Sequence, residues 1–329
     1  MPVPIATTAH GVDRSLAAFS SRMCRSVSLF GEDAWRDRAR LMQRIGVVAK
    51  QRLQPAAEVL TALVAWLQDR GVEIVYELET AALARDSTHR SLSREELPNA
   101  VDLIVVLGGD GTLLSMADRI GQAGREIPIL GVNFGSLGFL TEIRIDELYP
   151  SLESVLNGTA RFDERLMLQA EVHRGGHPFD RRVVLNDVVF TKGVLSRMIE
   201  LSVSVSSRFV TRVKADGLII ASPTGSTAYN LAAGGPIVHP IVDALVLTPI
   251  APHTLTNRPV VIPGASTVEV QPHVDGSEVF VTYDGQAGYP LRDGDMVNVR
   301  RADRPLRLVK APARTYFEVL REKLKWGER

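Results

Sequence analysis

Val101-Asp102-Leu103-Ile104-Val105-Val106-Leu107-Gly108-Gly109-Asp110-Gly111-Thr112 begins as an apolar run and ends in a glycine loop around one carboxylate. The run is too continuous for a half-exposed strand, so it predicts a strand buried on both faces of a parallel sheet. The glycines let the chain turn sharply and approach a ligand closely. Ligands of open α/β sheets bind at the carboxyl ends of strands, which is where Asp110 stands. A helix is expected from Leu113 to Gly121, and its first amides favour an anion at the same loop. Gly108, Gly109, Gly111 and Thr112 are therefore phosphate-binding candidates. A plain strand-to-helix turn would use the same glycines, and an Asp in such a turn is commonly structural.

Around this loop, strand and helix patterns alternate. Arg44–Lys50 reads as a strand, and Pro55–Arg70 as a helix with Val59, Leu60, Leu63, Val64 and Leu67 at helical spacing. Gly71 stops that helix, Val72–Tyr76 is a second strand, and Ile127–Asn133 follows the glycine-loop helix. Arg85–Asn99 is polar and charged, a surface loop or short helix. The alternation predicts an α/β N-terminal domain with a parallel sheet. After the helix-like Asp146–Leu156 the pattern changes to short strands. They are Glu171–His173, Arg182–Phe190, Ile199–Ser206, Phe209–Lys214, Asp216–Ala221, Thr267–Gln271, Glu278–Tyr283, Met296–Arg300 and Leu306–Lys310. This half predicts a β-rich C-terminal domain built as a two-sheet sandwich. Tyr316–Trp326 reads as a closing amphipathic helix.

The chain has 329 residues, enough for one large or two ordinary domains, with 45% hydrophobic and 23% charged residues. The 38 basic residues balance the 38 acidic ones, which gives no support to a nucleic-acid or membrane-surface partner. The single cysteine, Cys24, excludes a disulfide within the chain or a cysteine metal cluster, and fits a reducing cytoplasm. No apolar run reaches the length of a membrane span, and residues 1–21 lack the apolar core of a signal peptide. Residues 1–41 carry little pattern. They read either as a disordered tail or as the product of a start upstream of a natural one at Met42. The seven histidines have no metal-ligand spacing. Neither a Gly-x-Ser-x-Gly elbow nor a P-loop is present, so phosphate binding rests on the Gly108–Thr112 loop and on charges from elsewhere in the chain.

A second segment, Ser222-Pro223-Thr224-Gly225-Ser226-Thr227-Ala228-Tyr229, follows the strand pattern ending at Ala221 and is dense in hydroxyls and small residues. That composition suits contact with ribose, amide and phosphate groups. Together with Gly108–Thr112, the pair Asn186-Asp187, the continuation Gly234-Gly235-Pro236, Arg258-Pro259 and Asp284-Gly285-Gln286, it resembles the NAD kinase family. The resemblance runs from about Arg44 to the C-terminus. The glycine loop alone is shared with lipid and sugar kinases. The Thr224–Tyr229 stretch is much more specific.

The resemblance implies phosphorylation of the adenosine 2′-hydroxyl of NAD to give NADP, with ATP or polyphosphate as donor and Asp110 as general base. It implies that Asp110, Gly111, Phe134, Asn186, Asp187, Lys214, Asp216, Thr227, Ala228, Tyr229 and Ala251 bind NAD. Asn186 and Asp187 pair an amide with a carboxylate, which can fork two ribose hydroxyls; the family often has Glu where Asp187 stands. Phe134 matches an adenine-stacking ring and equally suits the core. Many bacterial members have Ser where Ala232 stands, so one hydroxyl contact is missing. Lys214 and Asp216 match positions that reach a neighbouring subunit's ligand, which implies a homodimer or homotetramer. Mg2+ or another divalent cation is expected because phosphoryl transfer needs charge neutralised, but no protein ligands for it are readable. The expected division is an extension at 1–41, the α/β domain at 42–147, a β-rich NAD-binding domain at 148–304, and a segment at 305–329 returning to the first domain. The competing readings are a lipid or sugar kinase with the same glycine loop and a non-catalytic NAD-binding regulator.

Overall fold

The computed structural model describes residues 42–51, 56–135, 137–193, 198–254, 256–274, 278–311 and 314–327. The expectation for residues 1–41 lies outside them. The first part runs β1 (Arg44–Ala49), α1 (Ala56–Gln68), β2 (Glu73–Glu77), α2 (Leu78–Ala84), β3 (Arg90–Leu92), β4 (Leu103–Leu107), α3 (Asp110–Ala123), β5 (Ile129–Asn133), β6 (Ile143–Arg144), α4 (Leu148–Leu156) and β7 (Phe162–Arg165). The second runs β8 (Leu168–Arg174), β9 (His177–Val184), β10 (Asp187–Lys192), β11 (Ile199–Val205), β12 (Arg208–Ala215), β13 (Gly217–Ala221), α5 (Tyr229–Ala232), β14 (Ala244–Ile250), β15 (Val260–Pro263), β16 (Val268–His273), β17 (Val279–Tyr283), β18 (Ala287–Leu291) and β19 (Met296–Arg301). The chain closes with β20 (Leu306–Val309) and α6 (Tyr316–Leu324).

The first sheet has the order β3-β2-β1-β4-β5-β20-β7, with β6 on β5. It is parallel except where β20 meets β7. All five residues of β4 are buried, as its unbroken apolar run requires in a central strand. On α1 the buried face is Leu60, Leu63 and Leu67. The α3 helix ends at Gly124, whose φ of 60° is a left-handed cap that glycine adopts without a side-chain clash.

The remaining strands form two antiparallel sheets of six, ordered β15-β14-β13-β10-β17-β18 and β12-β11-β16-β19-β8-β9. They share one core, with Phe190, Leu218 and Val281 from the first facing it alongside Leu201, Val270 and Val299 from the second. The chain is therefore an α/β domain joined to a two-sheet β domain. The boundary differs from the expected 147/148. The α4 residues Leu148, Leu152 and Val155 pack into the first core, and β7 pairs with β20 in the first sheet, so the second domain starts at β8.

One further difference bears on the site. The run Arg182–Phe190, expected as one strand, is broken at Leu185-Asn186 because the chain crosses there from one sheet of the sandwich to the other. The α6 helix, held at its start by a capping box between Thr315 and Glu318, brings Tyr316 edge-on to His239 at 4.6 Å between ring centroids.

Candidate active site

The glycine loop is fixed from both sides. Gly108 N–H donates to the Val132 carbonyl of β5 at 2.9 Å. A Cβ on Gly108 would stand 2.9 Å from Thr112 Oγ1, so that side chain folds over the glycine. At Gly109 and Gly111 an added Cβ would meet nothing within 4 Å, leaving open space above the loop. The helix starts at Asp110, three residues before the expected Leu113, with Gly109 as N-cap. A carboxylate in the first turn suits the positive end of the helix.

The Asp110 side chain does more than face the helix dipole. Its Oδ2 accepts from Phe139 N–H at 2.8 Å, and its Oδ1 from Leu140 N–H at 3.1 Å, Thr141 N–H at 3.0 Å and Thr141 Oγ1 at 2.9 Å. The turn reading therefore holds: the carboxylate pins the loop after β5, and that loop in turn fixes where the carboxylate points.

Asn186 and Asp187 lie at the crossover between the sheets. The crossover is held by Asp284, which the resemblance marked only as part of Asp284-Gly285-Gln286. Its carboxylate accepts from Leu185 N–H at 2.9 Å, Asn186 N–H at 2.8 Å and Asp187 N–H at 3.0 Å. Asp284 has a φ of 50°, a left-handed conformation that Asp tolerates better than most residues. Leu185 packs into the same core as Leu113 and Met116 of α3. A Cβ on Gly121 would lie 2.8 Å from Val183 Cγ1, so α3 and β9 are in close contact. Helix α3 thus carries Asp110 at its start and packs along its length on the strand leading to Asn186.

Burial, and then the Asp284 carboxylate, push Asp187 up to about 7; burial pushes Asp284 up to about 6 against the opposing effect of the three amides. A carboxyl raised in the folded state holds its proton more tightly than in the unfolded chain. The stability this contributes is complete below the ordinary carboxylate range and is lost as pH rises through about 6 to 7. Asp187→Asn removes that ionisation. Its stability relative to the unaltered protein should rise by about 1–3 kcal/mol between pH 5 and pH 8, read from denaturant melts. An unchanged or falling difference would mean that Asp187 is not held protonated by its surroundings.

The Ser222–Tyr229 segment differs from the expectation drawn from its hydroxyls. Ser222 Oγ donates to the Leu185 carbonyl at 2.6 Å and accepts from Gly225 N–H at 3.1 Å. Ser226 Oγ donates to the Pro223 carbonyl at 2.6 Å and accepts from Val238 N–H at 3.0 Å. Thr227 Oγ1 donates to the Thr224 carbonyl at 3.2 Å. These hydroxyls shape the loop because its tight turns leave backbone groups without ladder partners. A Cβ on Gly225 would stand 2.1 Å from the Asn186 carbonyl, so this glycine is what lets the loop lie on the crossover. Asn230 ties the segment down by donating to the Ser226 and Pro236 carbonyls and accepting from Thr248 Oγ1 at 2.6 Å. Tyr229 is 45% exposed, which leaves its ring available to a ligand, and Ala228 is partly exposed beside it.

Of the remaining candidates, Phe134 is partly buried against the first core and partly exposed. Lys214 is exposed on β12. Asp216 pairs with Lys192 Nζ at 2.8 Å. Ala251 is exposed at the end of β14, with a φ of 44°. Among the described residues, no group of three or more His, Cys, Asp or Glu side chains could hold a metal ion. Nor is any helix there long and apolar enough to cross a membrane.

Two family models match this chain: the ATP-NAD kinase N-terminal domain over residues 45–160 and the ATP-NAD kinase C-terminal domain over residues 185–311. The chain belongs to the NAD kinase family. The NAD kinase of Geobacter sulfurreducens is 51% identical over 289 residues, covering 88% of this chain and all of the relative. That of Geotalea daltonii is 49% identical over 288 residues with the same coverage. Among solved structures, a yeast NADH kinase complexed with NADH superposes with a TM-score of 0.77 at 25% identity, covering 88% of this chain and 89% of the other. An NAD kinase from Archaeoglobus fulgidus in complex with ATP superposes at 0.68 and 25% identity, covering 85% and 99%. These comparisons lend no support to the lipid or sugar kinase alternative.

In this NAD kinase family member, sequence reasoning missed the segment Gly138–Thr141 that surrounds Asp110, and the clamp by Asp284. The signal for the second was present, since an Asp-Gly pair after an alternating strand marks a turn whose Asp can bind backbone. No local pattern links residues 138–141 to residue 110. Lys50 was also unmarked; its Cβ lies by Gly108, 3.1 Å from where a Cβ would stand there, which puts a lysine at the rim of the loop.

Proposed function

We infer that the chain transfers the γ-phosphoryl group of ATP to the adenosine 2′-hydroxyl of NAD, giving NADP, with Asp110 as the general base. The observation that carries this reading is the Asp110 carboxylate. Backbone amides hold it at the N-terminus of α3, beside a loop with open space at Gly109 and Gly111. The first-turn amides of α3 favour the donor's phosphates, and Gly108 and Thr112 shape the loop that meets them. The hydroxyl proton passes to Asp110 as the hydroxyl oxygen bonds to the γ-phosphorus and ADP leaves. Asn186 and Asp187 fork the ribose hydroxyls. Thr227, Ala228, Tyr229 and Ala251 line the pocket, and Phe134 meets the adenine. Mg2+ or another divalent cation would come with the ATP phosphates and would neutralise charge on the transferring group. Polyphosphate is a second donor compatible with a loop that reads phosphates through backbone. A cytoplasmic site of action fits the supply of ATP and NAD and the single cysteine. Incubation with NAD and each donor, followed by mass analysis, tests the reading. One added phosphate on the adenosine ribose is expected; no transfer from either donor would sink it.

The site is completed by a second copy of the chain. A groove of about 660 Å³ opens between the edge strands of the two sandwich sheets, lined by Val203, Val210 and Val213 on one side and Leu218, Leu247 and Val260 on the other. Val210 and Val260, which line it, are about half exposed, and Phe209 and Val261, next to them in sequence, are exposed as well. Apolar edges of this size suit burial in an oligomer. Lys214 lies on β12 and Asp216 directly after it, so a partner covering the groove comes next to them. Mixing inactive Asp110→Asn subunits with Asp216→Ala subunits should then restore part of the activity. An active monomer at assay concentration, or mixed oligomers without recovery, would count against a shared site.

A further inference from the structure

The four hydrogen bonds to Asp110 are unevenly divided. Oδ1 takes Leu140 N–H, Thr141 N–H and Thr141 Oγ1, while Oδ2 takes Phe139 N–H. A carboxylate oxygen offers about two lone-pair directions, so three donors saturate Oδ1 and one donor leaves Oδ2 able to accept another. The direction of the Thr141 hydroxyl is also set. Asn133 Oδ1 accepts from Gly135 N–H at 2.7 Å, which orients the amide, and Asn133 Nδ2 then donates to Thr141 Oγ1 at 3.1 Å. With Oγ1 accepting on that side, its one proton is delivered to Asp110. Thr141 is fully buried, so water does not compete for this bond.

Gly138 makes the arrangement possible. A Cβ there would stand 1.9 Å from Asp110 Oδ1 and 2.4 Å from Thr141 Oγ1. Its backbone is outside the left-handed region, so the requirement for glycine is one of space around the carboxylate rather than of conformation.

We propose that Thr141 is a positioning residue of the transfer: by clamping Oδ1 it presents Oδ2 as the oxygen that receives the proton of the sugar hydroxyl. The O–H bond of the hydroxyl breaks and its proton goes to Oδ2. The oxygen's electron pair forms the new bond to the γ-phosphorus, and the bond to the ADP oxygen breaks. This inference rests on the reading of Asp110 as base.

The test compares Thr141→Val and Thr141→Ser, each alone and combined with Asp110→Asn, by steady-state kinetics and melting temperature. Thr141→Val should lower kcat by about 10- to 100-fold, because a base held about an ångström out of place forfeits rates of that order. KM for NAD should stay within about twofold, since the hydroxyl touches the base rather than the dinucleotide. Thr141→Ser, which keeps the donor, should recover most of the loss. In the Asp110→Asn background Thr141→Val should have little further effect, because the oxygen it positions no longer takes a proton. A normal kcat for Thr141→Val, or an equal fall in both backgrounds, overturns the proposal. Normal turnover by Asp110→Asn alone would instead overturn the base assignment. The unaltered protein gives the same answer without any variant: in its complex with NAD the 2′-oxygen should lie nearer Oδ2, and a position nearer Oδ1 overturns the proposal.

Discussion

Asp110→Asn should reduce phosphoryl transfer by about a hundredfold to ten-thousandfold, the usual cost of removing a general base, while NAD still binds. The substitution keeps one oxygen for the three donors now on Oδ1. It places an amide NH2 where Oδ2 now accepts from Phe139 N–H. Two donors then face each other, and the loop after β5 should loosen at a cost of about 1–3 kcal/mol. Both consequences are measurable. Single-turnover rates with ATP report the chemical step, and NAD titration followed by thermal shift reports binding. Near-normal turnover would show that the carboxylate is structural, and loss of NAD binding would show that it holds the dinucleotide rather than activating it.

Asp284→Ala should strongly destabilise the second domain. Three amides, those of Leu185, Asn186 and Asp187, lose their acceptor together. Leu185 and Asp187 are buried, so water cannot readily replace it there. At about 1–3 kcal/mol for each of these two buried amides, the expected loss is about 2–6 kcal/mol, a large share of the typical net stability of a domain. The positive φ adds to this, because alanine tolerates the left-handed region less well than Asp. Asp284→Asn keeps an oxygen for two of the amides and should lose about half as much. Binding should follow stability, since the crossover carries Asn186: KM for NAD should rise in Asp284→Asn even where the protein remains folded. Denaturant midpoints within error of the unaltered protein would show that the clamp is dispensable.

Much of the architecture was legible because it depends on local pattern. The continuous apolar run Val101–Leu107 could only be a buried strand or part of a buried helix, and the glycines after it decided for the strand. Alternating runs such as Ile199–Val205 announced the sandwich, and their observed burial alternates accordingly. Strands β14 and β15 escaped notice because prolines at Pro249 and Pro263 interrupt their patterns; each lies near a strand end, where a missing N–H is tolerated. β18 was missed for the same reason, with Pro290 within it on an edge strand.

The site divides along the same line. By itself the sequence determined the α/β class of the first half, the glycine loop with Asp110 at a strand end, and a family signature specific enough to name the substrate. These are properties of contiguous residues, and short-range sterics and hydrogen bonding express them directly. Only the tertiary structure decided what surrounds those residues. It closed residues 138–141 around Asp110, brought Asp284 under the Leu185–Asp187 amides from almost a hundred residues away, and spent the Ser222 and Ser226 hydroxyls on backbone carbonyls of the crossover and of the loop. A carboxylate or hydroxyl in a sequence has many potential partners. Which one it takes follows from which buried backbone groups the fold leaves unpaired, and that is known only once distant segments are packed together.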